Sequence, residues 1–192
     1  MGETKLMDRG VIPRYVRMWI VEFYGQDGLE KVLSKLSHEA GRMLRAPVPH
    51  GWYPVNLMRE AYYAVDSELA RKNPEVLYSL GRFIADQSVQ GFLQYLVRLI
   101  STEKIVARLD AIWKRYHEGG KAEAQIFASK GAAKSGTFSV SGYDAGKGFC
   151  LMLTGFIEEF IRLAGARDIE IKKRSCIHNG DEKCLWSINW NE

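Results

Sequence analysis

The chain has 192 residues, of which 46% are hydrophobic and 26% charged, the composition of a folded globular domain rather than of a disordered chain. Its 27 basic and 23 acidic residues are dispersed, and the densest basic run, 172–174, is too short to predict a nucleic-acid-binding surface. Because the chain has neither a long apolar run nor an N-terminal signal pattern, we expect a cytoplasmic protein without a membrane span.

Helical patterns dominate the first 118 residues. Apolar spacing predicts helices over 13–23, 27–36, 53–71, 73–100 and 102–116. Gly25 is expected to end the first of these helices. Gly81 and Gly91 lie inside the long fourth helix, where they indicate close helix packing or a kink.

Strand patterns appear after Gly120. Residues 124–128 and 137–143 alternate between apolar and polar, a helix is predicted over 148–163, and two further strands follow around 169–171 and 184–190. Both strand pairs close locally, and one helical layer can cover one face of the resulting sheet. We therefore predict a single α+β domain over 1–192, mostly helical over 1–118 and ββαββ over 119–192, with a helical layer packed on a four-stranded antiparallel sheet.

Three cysteines, Cys150, Cys176 and Cys184, lie in the last quarter of the chain. The turn-forming residues 179–181 predict a hairpin that brings Cys176 near Cys184. On a continued strand His178 would project on the same side as Cys176. The cluster could bind a soft metal, form a disulfide or simply pack, and Cys150, Cys176, Cys184 and His178 are candidate zinc ligands.

The cysteine pattern resembles that of a known family. Cys176 follows Cys150 by twenty-six residues and Cys184 follows eight later, with Gly180-Asp181 between them and the aromatic Trp186 after them. This arrangement is similar to the 4-vinyl-reductase-type domain, whose superfamily also contains the haem nitric-oxide-binding domain and the TRAPP vesicle-tethering subunits. Weaker similarities at Trp52, at 80–82, at 113–116 and at Gly155 extend the resemblance over most of the chain.

The resemblance implies specific expectations about cofactors. In phenol-sensing members of the superfamily, three cysteines and a glutamate bind zinc beside an aromatic-ligand pocket. Lys173 stands at the glutamate position here, so either His178 or water completes a zinc site or no metal is bound. The Tyr-x-Ser-x-Arg motif of haem nitric-oxide sensors is absent, as is any nucleotide-binding fingerprint, so neither haem nor nucleotide is expected.

The function predicted from the sequence is the binding or sensing of a hydrophobic or aromatic small molecule, acting through protein contacts and a homodimer. The candidate ligand-binding residues are aromatic side chains on the predicted helices, which could equally be simple core: Trp52, Tyr62, Tyr78, Phe83, Phe92, Tyr95 and Trp113. The alternative is a structural scaffold that dimerises around an incidental pocket. An enzyme is the less favoured interpretation, because no hydride-donor site is visible.

Overall fold

A computed structural model describes residues 5–71, 73–90, 102–130 and 133–191. The helices are α1 Val11–Leu33, α2 His38–Arg45, α3 Val55–Val65 with a π-helical turn at Asp66–Ala70, α4 Pro74–Gln90, α5 Thr102–Val106, α6 Leu109–Tyr116 and α7 Lys147–Leu163. Among the residues described, none of these helices combines the length and the apolarity that a bilayer crossing needs.

The strands form two separate sheets. The small sheet has the order β2-β1-β3 and consists of β1 Met7–Arg9, β2 Trp52–Pro54 and β3 His117–Glu118. The large sheet has the order β4-β5-β7-β6 and consists of β4 Lys121–Lys130, β5 Ala133–Ser141, β6 Arg167–Ser175 and β7 Cys184–Asn191. All neighbours in the large sheet are antiparallel, which confirms the predicted α+β fold with its ββαββ half.

One face of the large sheet is buried under helices. On β7 the alternate residues Cys184, Trp186, Ile188 and Trp190 are buried, as the alternation in the sequence predicts. In the register, Trp186 lies opposite Phe138 on β5, and Ile188 lies opposite Gly136. Helices α5, α6 and α7 contribute the other half of this core, so the space between them and the sheet is the natural place for a cavity.

The small sheet was not predicted from the sequence. Its strands have two or three residues each and lie far apart in the chain, so no alternating pattern is long enough to identify them. Trp52, which directly precedes the helix predicted over 53–71, is the first residue of β2. The sheet places Asp8 of β1 opposite His117 of β3, and this pairing builds part of the site described below.

Some helix boundaries differ from the predicted ones. Gly25 does not end the first helix: it has φ 67° and forms a kink inside α1, so the two predicted helices are merged. The helix predicted over 102–116 is interrupted between Val106 and Leu109. Helix α4 begins at Pro74, one residue after the start of the range predicted over 73–100, and the expected continuation over 91–100 lies outside the described residues.

Two glycines bring helices α4 and α7 into backbone contact. A Cβ atom built on Gly81 would lie 1.8 Å from the carbonyl oxygen of Met152, and one built on Gly155 would lie 2.0 Å from that of Tyr78. Either distance is far below van der Waals contact, so neither position accepts a side chain while the helices stay where they are. The close packing suggested by Gly81 in the sequence is therefore present in the structure.

Candidate functional site

An apolar cavity of about 140 Å³ lies between the large sheet and the helices that cover it. Its apolar lining comes from α5 and α6 (Ile105, Val106, Leu109, Ile112, Trp113, Tyr116), from α7 (Leu153, Phe156, Ile157, Phe160, Ile161) and from the sheet (Ala124, Ile126, Gly136, Phe138, Ile188, Trp190). Gln125, Thr137 and His117 are the other residues of the lining. No carboxylate, ammonium or guanidinium side chain belongs to the lining within the described part of the chain.

A second, smaller cavity of about 60 Å³ adjoins the first. The two share Tyr116, His117, Leu153 and Phe156, and the second extends toward Ile12 of α1 and Ile84 of α4 among other residues. The shared side chains form a partition between the two spaces. His117 is the only histidine in either lining, within the residues that the structure describes.

The structure places some of the predicted ligand-binding residues at the cavity and others away from it. Trp113 lines the larger cavity. Trp52, Tyr62, Tyr78 and Phe83 belong to neither cavity lining. Their environments explain this: Tyr62 is fully buried against Phe149, Phe83 packs edge-on against Phe23, and the rings of Trp52 and Tyr78 stack under the guanidinium groups of Arg9 and Arg82. Phe92 and Tyr95 lie outside the described residues.

His117 is held by a buried hydrogen-bonded cluster. The Nδ1 atom of His117 lies 2.7 Å from Oδ1 of Asp8, and the Tyr143 hydroxyl donates to the same oxygen at 2.6 Å. Burial, and after it the charge of Asp8, raise the pKa of Tyr143 far above its ordinary value, so this hydroxyl stays protonated. An ionised carboxylate can only accept hydrogen bonds, so the proton shared between Asp8 and His117 belongs to Nδ1 of the imidazole. The other ring nitrogen, Nε2, has no hydrogen bond within the described structure.

The imidazole of His117 is also fixed by aromatic neighbours. Its ring stacks on Trp113 with centroids 4.1 Å apart and meets Tyr143 edge-on at 5.1 Å. Trp113 is held in turn, because its Nε1–H donates to the carbonyl oxygen of Gly119 at 3.1 Å. His117 therefore contributes an oriented imidazole to a mostly apolar wall, in which Gln125 and Thr137 are the other polar residues of the described lining.

The three cysteines converge in the structure, where Cys176 lies near Cys184, as the predicted hairpin requires, and Cys150 joins them. Cys150 lies in the first turn of α7, Cys176 follows β6 and Cys184 begins β7. Their Sγ atoms are 3.6 Å (Cys150 to Cys184), 3.9 Å (Cys150 to Cys176) and 4.0 Å (Cys184 to Cys176) apart. All three are free thiols, because a disulfide has an S–S distance of about 2.05 Å. Three sulfurs at these separations are a donor set that a soft cation accepts.

His178 does not join the sulfurs. Residues 177–179 form a 3₁₀ turn instead of a continued strand, so the expected alternation of side chains stops at Cys176. The Nε2 atom of His178 faces Oδ1 of Asp144 at 3.6 Å. The metal-binding group that the described residues form contains the three cysteines alone, and the prediction of His178 as a ligand is not met by this geometry.

Lys173 takes the place beside the sulfurs. It lies on the helix-covered face of β6, with its Nζ 4.8 Å from the ring centroid of Trp186. Burial would lower the pKa of Lys173, but hydrogen bonds to Cys150 and Cys176 outweigh it and raise that pKa. The cluster is therefore three thiols beside one ammonium group, and an ammonium has no lone pair to give a metal.

The thiols differ in acidity. Burial raises the pKa of Cys150 to about 12. For Cys176 burial also acts to raise the pKa, but hydrogen bonds from Lys173 and from the backbone of His178 outweigh it and lower the pKa below its ordinary value. Near neutral pH the thiolate is therefore formed at Cys176 in preference to Cys150.

This difference predicts the order of alkylation. With iodoacetamide at pH 7.5, Cys176 is expected to react before Cys150, and replacing Lys173 by methionine should slow the reaction of Cys176 severalfold. Peptide mass spectrometry over time gives the rate at each site. Lys172→Met is the matched control, because Lys172 pairs with Glu170 on the exposed side of the same strand. Equal slowing by both substitutions would contradict the assigned role of Lys173.

Sequence reasoning missed His117 and Trp190. The alternation of Cys184, Trp186, Ile188 and Trp190 did place Trp190 on the buried face, but nothing in the sequence shows that a cavity lies beneath it. His117 carried no signal at all, since its partner Asp8 is 109 residues away. Only the structure brings these residues together.

Comparison with known proteins gives the fold. No family model and no curated protein matches the chain. Among solved structures, an H-NOX protein from S. oneidensis in the Fe(II)NO ligation state superposes with a TM-score of 0.73 at 16% identity, covering 96% of this chain and 99% of that one. The Fe(II) unliganded H-NOX protein from K. algicida gives 0.71 at 12% identity, with coverage of 96% and 97%. An oxygen-binding H-NOX domain related to soluble guanylate cyclases gives 0.65 at 14%, with coverage of 95% and 94%.

These comparisons correct the cofactor prediction. The expectation of no haem rested on a missing motif. It is contradicted by the structural neighbours, which match nearly the full chain and are described by the ligation state of their iron. They are described with iron and not zinc, so the expectation of zinc gains no support. These solved structures are H-NOX domains, so the resemblance to the 4-vinyl-reductase and TRAPP members gains no support from them. At these identities the likeness establishes that the chain has the fold of the H-NOX domains.

Proposed function

We propose that the protein is a small-molecule-sensing domain whose ligand occupies the apolar cavity between the large sheet and helices α5, α6 and α7. The cavity carries this proposal: an apolar space of about 140 Å³ with aromatic walls is an unusual feature in an interior that normally packs densely. The shared fold with H-NOX domains supports it. The scaffold alternative would leave this space without a role.

The size of the cavity limits the ligand. An apolar protein cavity of about 150 Å³ accepts benzene. The space described here is similar, and aromatic rings of Trp113, Phe138 and Phe156 line it. A hydrophobic molecule with one ring is the occupant that these dimensions favour.

Haem is the second candidate, and one observation favours it. Many haem proteins hold the iron by an axial imidazole, and ligating histidines usually donate their other ring N–H to a carboxylate or a carbonyl. His117 has this arrangement through Asp8, so His117 is the residue that would hold the iron and the apolar lining would enclose the ring. The two cavities, of about 140 and 60 Å³, are smaller than the pockets that usually hold a molecule as large as haem. The partition between them would therefore have to open. Bound haem would supply an iron site for a diatomic gas.

Titration with toluene and with haemin tests both candidates. Toluene is expected to bind the wild-type protein and to raise its melting temperature. Ala124→Phe, which places a ring in the cavity, should abolish toluene binding, whereas Phe83→Leu, at an aromatic residue outside both linings, should leave it unchanged. Calorimetry measures the affinity.

The outcomes separate the candidates. Toluene binding that Ala124→Phe removes supports the one-ring ligand. A stoichiometric Soret band after haemin addition, lost in His117→Ala and kept in His50→Ala, would assign the cavity to haem instead. If neither compound binds, the sensing proposal fails and the scaffold function is favoured.

The output of such a sensor would pass through protein contacts, and we retain the homodimer as a prediction. Phe23 on α1 is 61% exposed and packs edge-on against Phe83 of α4. An exposed aromatic ring at the junction of two helices is suited to a contact with a second copy. Light scattering that returned the mass of one chain at micromolar concentration would contradict this expectation.

A further inference from the structure

The three cysteines lie apart from both cavities. Cys150, Cys176 and Cys184 belong to neither cavity lining, and their sulfur atoms lie within 4.8 Å of one another. Cys150 and Cys184 are buried, and Cys176 is half-buried. The chain has no other cysteine, so any thiolate chemistry of this protein has to use this cluster.

The spacing of the sulfur atoms suits a metal ion lying between them. Their separations are 3.6, 3.9 and 4.0 Å, so the point in their plane that is equidistant from all three lies about 2.2 Å from each. A zinc–thiolate bond measures about 2.3 Å, and a bond between Cu(I) and a thiolate has a similar length. An ion in or near this plane therefore contacts all three sulfurs with little movement of the side chains.

No side chain in the described part of the chain supplies a fourth ligand. His178 faces Asp144, with Nε2 and Oδ1 3.6 Å apart. Oδ2 of Asp181, in the same turn, accepts the backbone N–H of Cys176 at 2.7 Å, and no carboxylate joins the sulfurs in the metal-binding group. Lys173 stands beside the sulfurs, but an ammonium has no lone pair. The donor set is therefore three sulfurs.

The number of donors distinguishes between the soft ions that thiolates select, among them zinc and Cu(I). Zinc in structural sites is almost always four-coordinate, so three sulfurs would leave one of its positions to a water molecule at a largely buried site. Cu(I) has no such need, because three thiolates in a plane complete its coordination. Three thiolates around a monovalent ion keep a net negative charge, and the ammonium of Lys173, which hydrogen-bonds to Cys150 and Cys176, compensates part of it.

We propose that Cys150, Cys176 and Cys184 bind one Cu(I) ion in a three-coordinate site made of sulfur alone. Binding exchanges the three thiol protons for one cation and changes no oxidation state. The ammonium of Lys173 continues to donate hydrogen bonds to the sulfurs, since a metal-bound thiolate keeps lone pairs. The site is independent of the proposed function, because no cysteine belongs to either cavity lining.

A titration of the wild-type protein tests the site without any variant. The protein, reduced and kept free of oxygen, should withdraw one equivalent of Cu(I) from its coloured complex with bathocuproine disulfonate. X-ray absorption at the copper edge should then report three sulfur ligands at about 2.2–2.3 Å. Serine at any one of the three cysteine positions should remove the third sulfur from this signal. Copper that stays with the chelator, or that binds the wild type through two sulfurs, would overturn the proposal.

A charge reversal at Lys173 tests why the site is three-coordinate. Lys173→Glu replaces the ammonium beside the sulfurs by a carboxylate that can serve as a fourth ligand, so zinc affinity should rise by about tenfold or more. Lys172→Glu is the matched control, because Lys172 pairs with Glu170 on the exposed side of the same strand, and it should leave zinc affinity unchanged. Competition with a chromophoric zinc indicator measures both.

The outcomes separate this site from the cavity. Zinc binding as tight in the wild type as in Lys173→Glu would overturn the three-coordinate assignment. Toluene binding would be unaffected by that result, because it depends on the cavity lining alone. Loss of toluene binding in Ala124→Phe with Cu(I) binding retained is the expected pattern for two independent sites.

Discussion

Replacing Gly155 by alanine is expected to lower the free energy of unfolding by about 2–3 kcal/mol, the cost of overpacking a well-packed interior. The new methyl group would start 2.0 Å from the carbonyl oxygen of Tyr78, so helices α4 and α7 would have to separate. Gly81→Ala should have a similar effect, because its Cβ would lie 1.8 Å from the carbonyl oxygen of Met152. Urea denaturation measures both changes.

The control is the same substitution in an open position. Gly41 lies in α2, and a Cβ atom added to it would have no neighbour within 4 Å outside its own helix turn. Alanine in the interior of a helix is favoured over glycine by about 1 kcal/mol, so Gly41→Ala should stabilise the protein. A loss of stability at Gly41 as large as that at Gly155 would mean that the backbone contact between α4 and α7 is not the cause.

The features that could be predicted from the sequence are those with long or repeated patterns. The sequence alternates over 137–143 in the region of β5 and over 184–190 in β7, and α7 carries apolar residues at helical spacing, so the sheet and its covering helix followed from the sequence. The convergence of Cys176 and Cys184 followed from a local hairpin. Cys150 joined them through the family resemblance.

The cavity and its polar atoms could not be predicted in the same way. A dense set of aromatic residues on helices does not show which rings face a space and which face other rings, so Trp113 was identified while Tyr62 and Phe83 proved to be packed elsewhere. The strand alternation expected at His178 is absent for a local reason, because the chain turns into a 3₁₀ segment directly after Cys176. The motif-based exclusion of haem failed because a fold can persist at 12–16% identity, where short motifs need not.

The cluster around Asp8 is the second place where one substitution should have a large effect. Asp8 is 1% exposed and accepts hydrogen bonds from Tyr143 at 2.6 Å and from His117 at 2.7 Å. Removing it leaves two donors in the interior without this acceptor, and each orphaned group costs about 1–3 kcal/mol. Asp8→Ala is therefore expected to lower the free energy of unfolding by roughly 2–6 kcal/mol.

A double-mutant cycle separates this effect from simple loss of packing. Tyr143→Phe removes one donor together with its need for a partner, so it should cost only about 1 kcal/mol by itself. In the Asp8→Ala background the same substitution should cost less or even stabilise, because the tyrosine hydroxyl has by then lost its acceptor. Chemical denaturation of the four proteins gives the coupling energy, and strict additivity would contradict the shared hydrogen bond.

The same cycle connects stability with the site. The carboxylate of Asp8 keeps the proton of His117 on Nδ1 and orients the ring against Trp113. Loss of this carboxylate should therefore also free the imidazole to rotate. The NMR signals of His117 Nδ1 and Nε2 should report a single tautomer in the wild type and an exchanging mixture in Asp8→Asn, the near-isosteric variant. A wild-type imidazole that already exchanges between tautomers would show that Asp8 stabilises the fold without ordering the cavity wall.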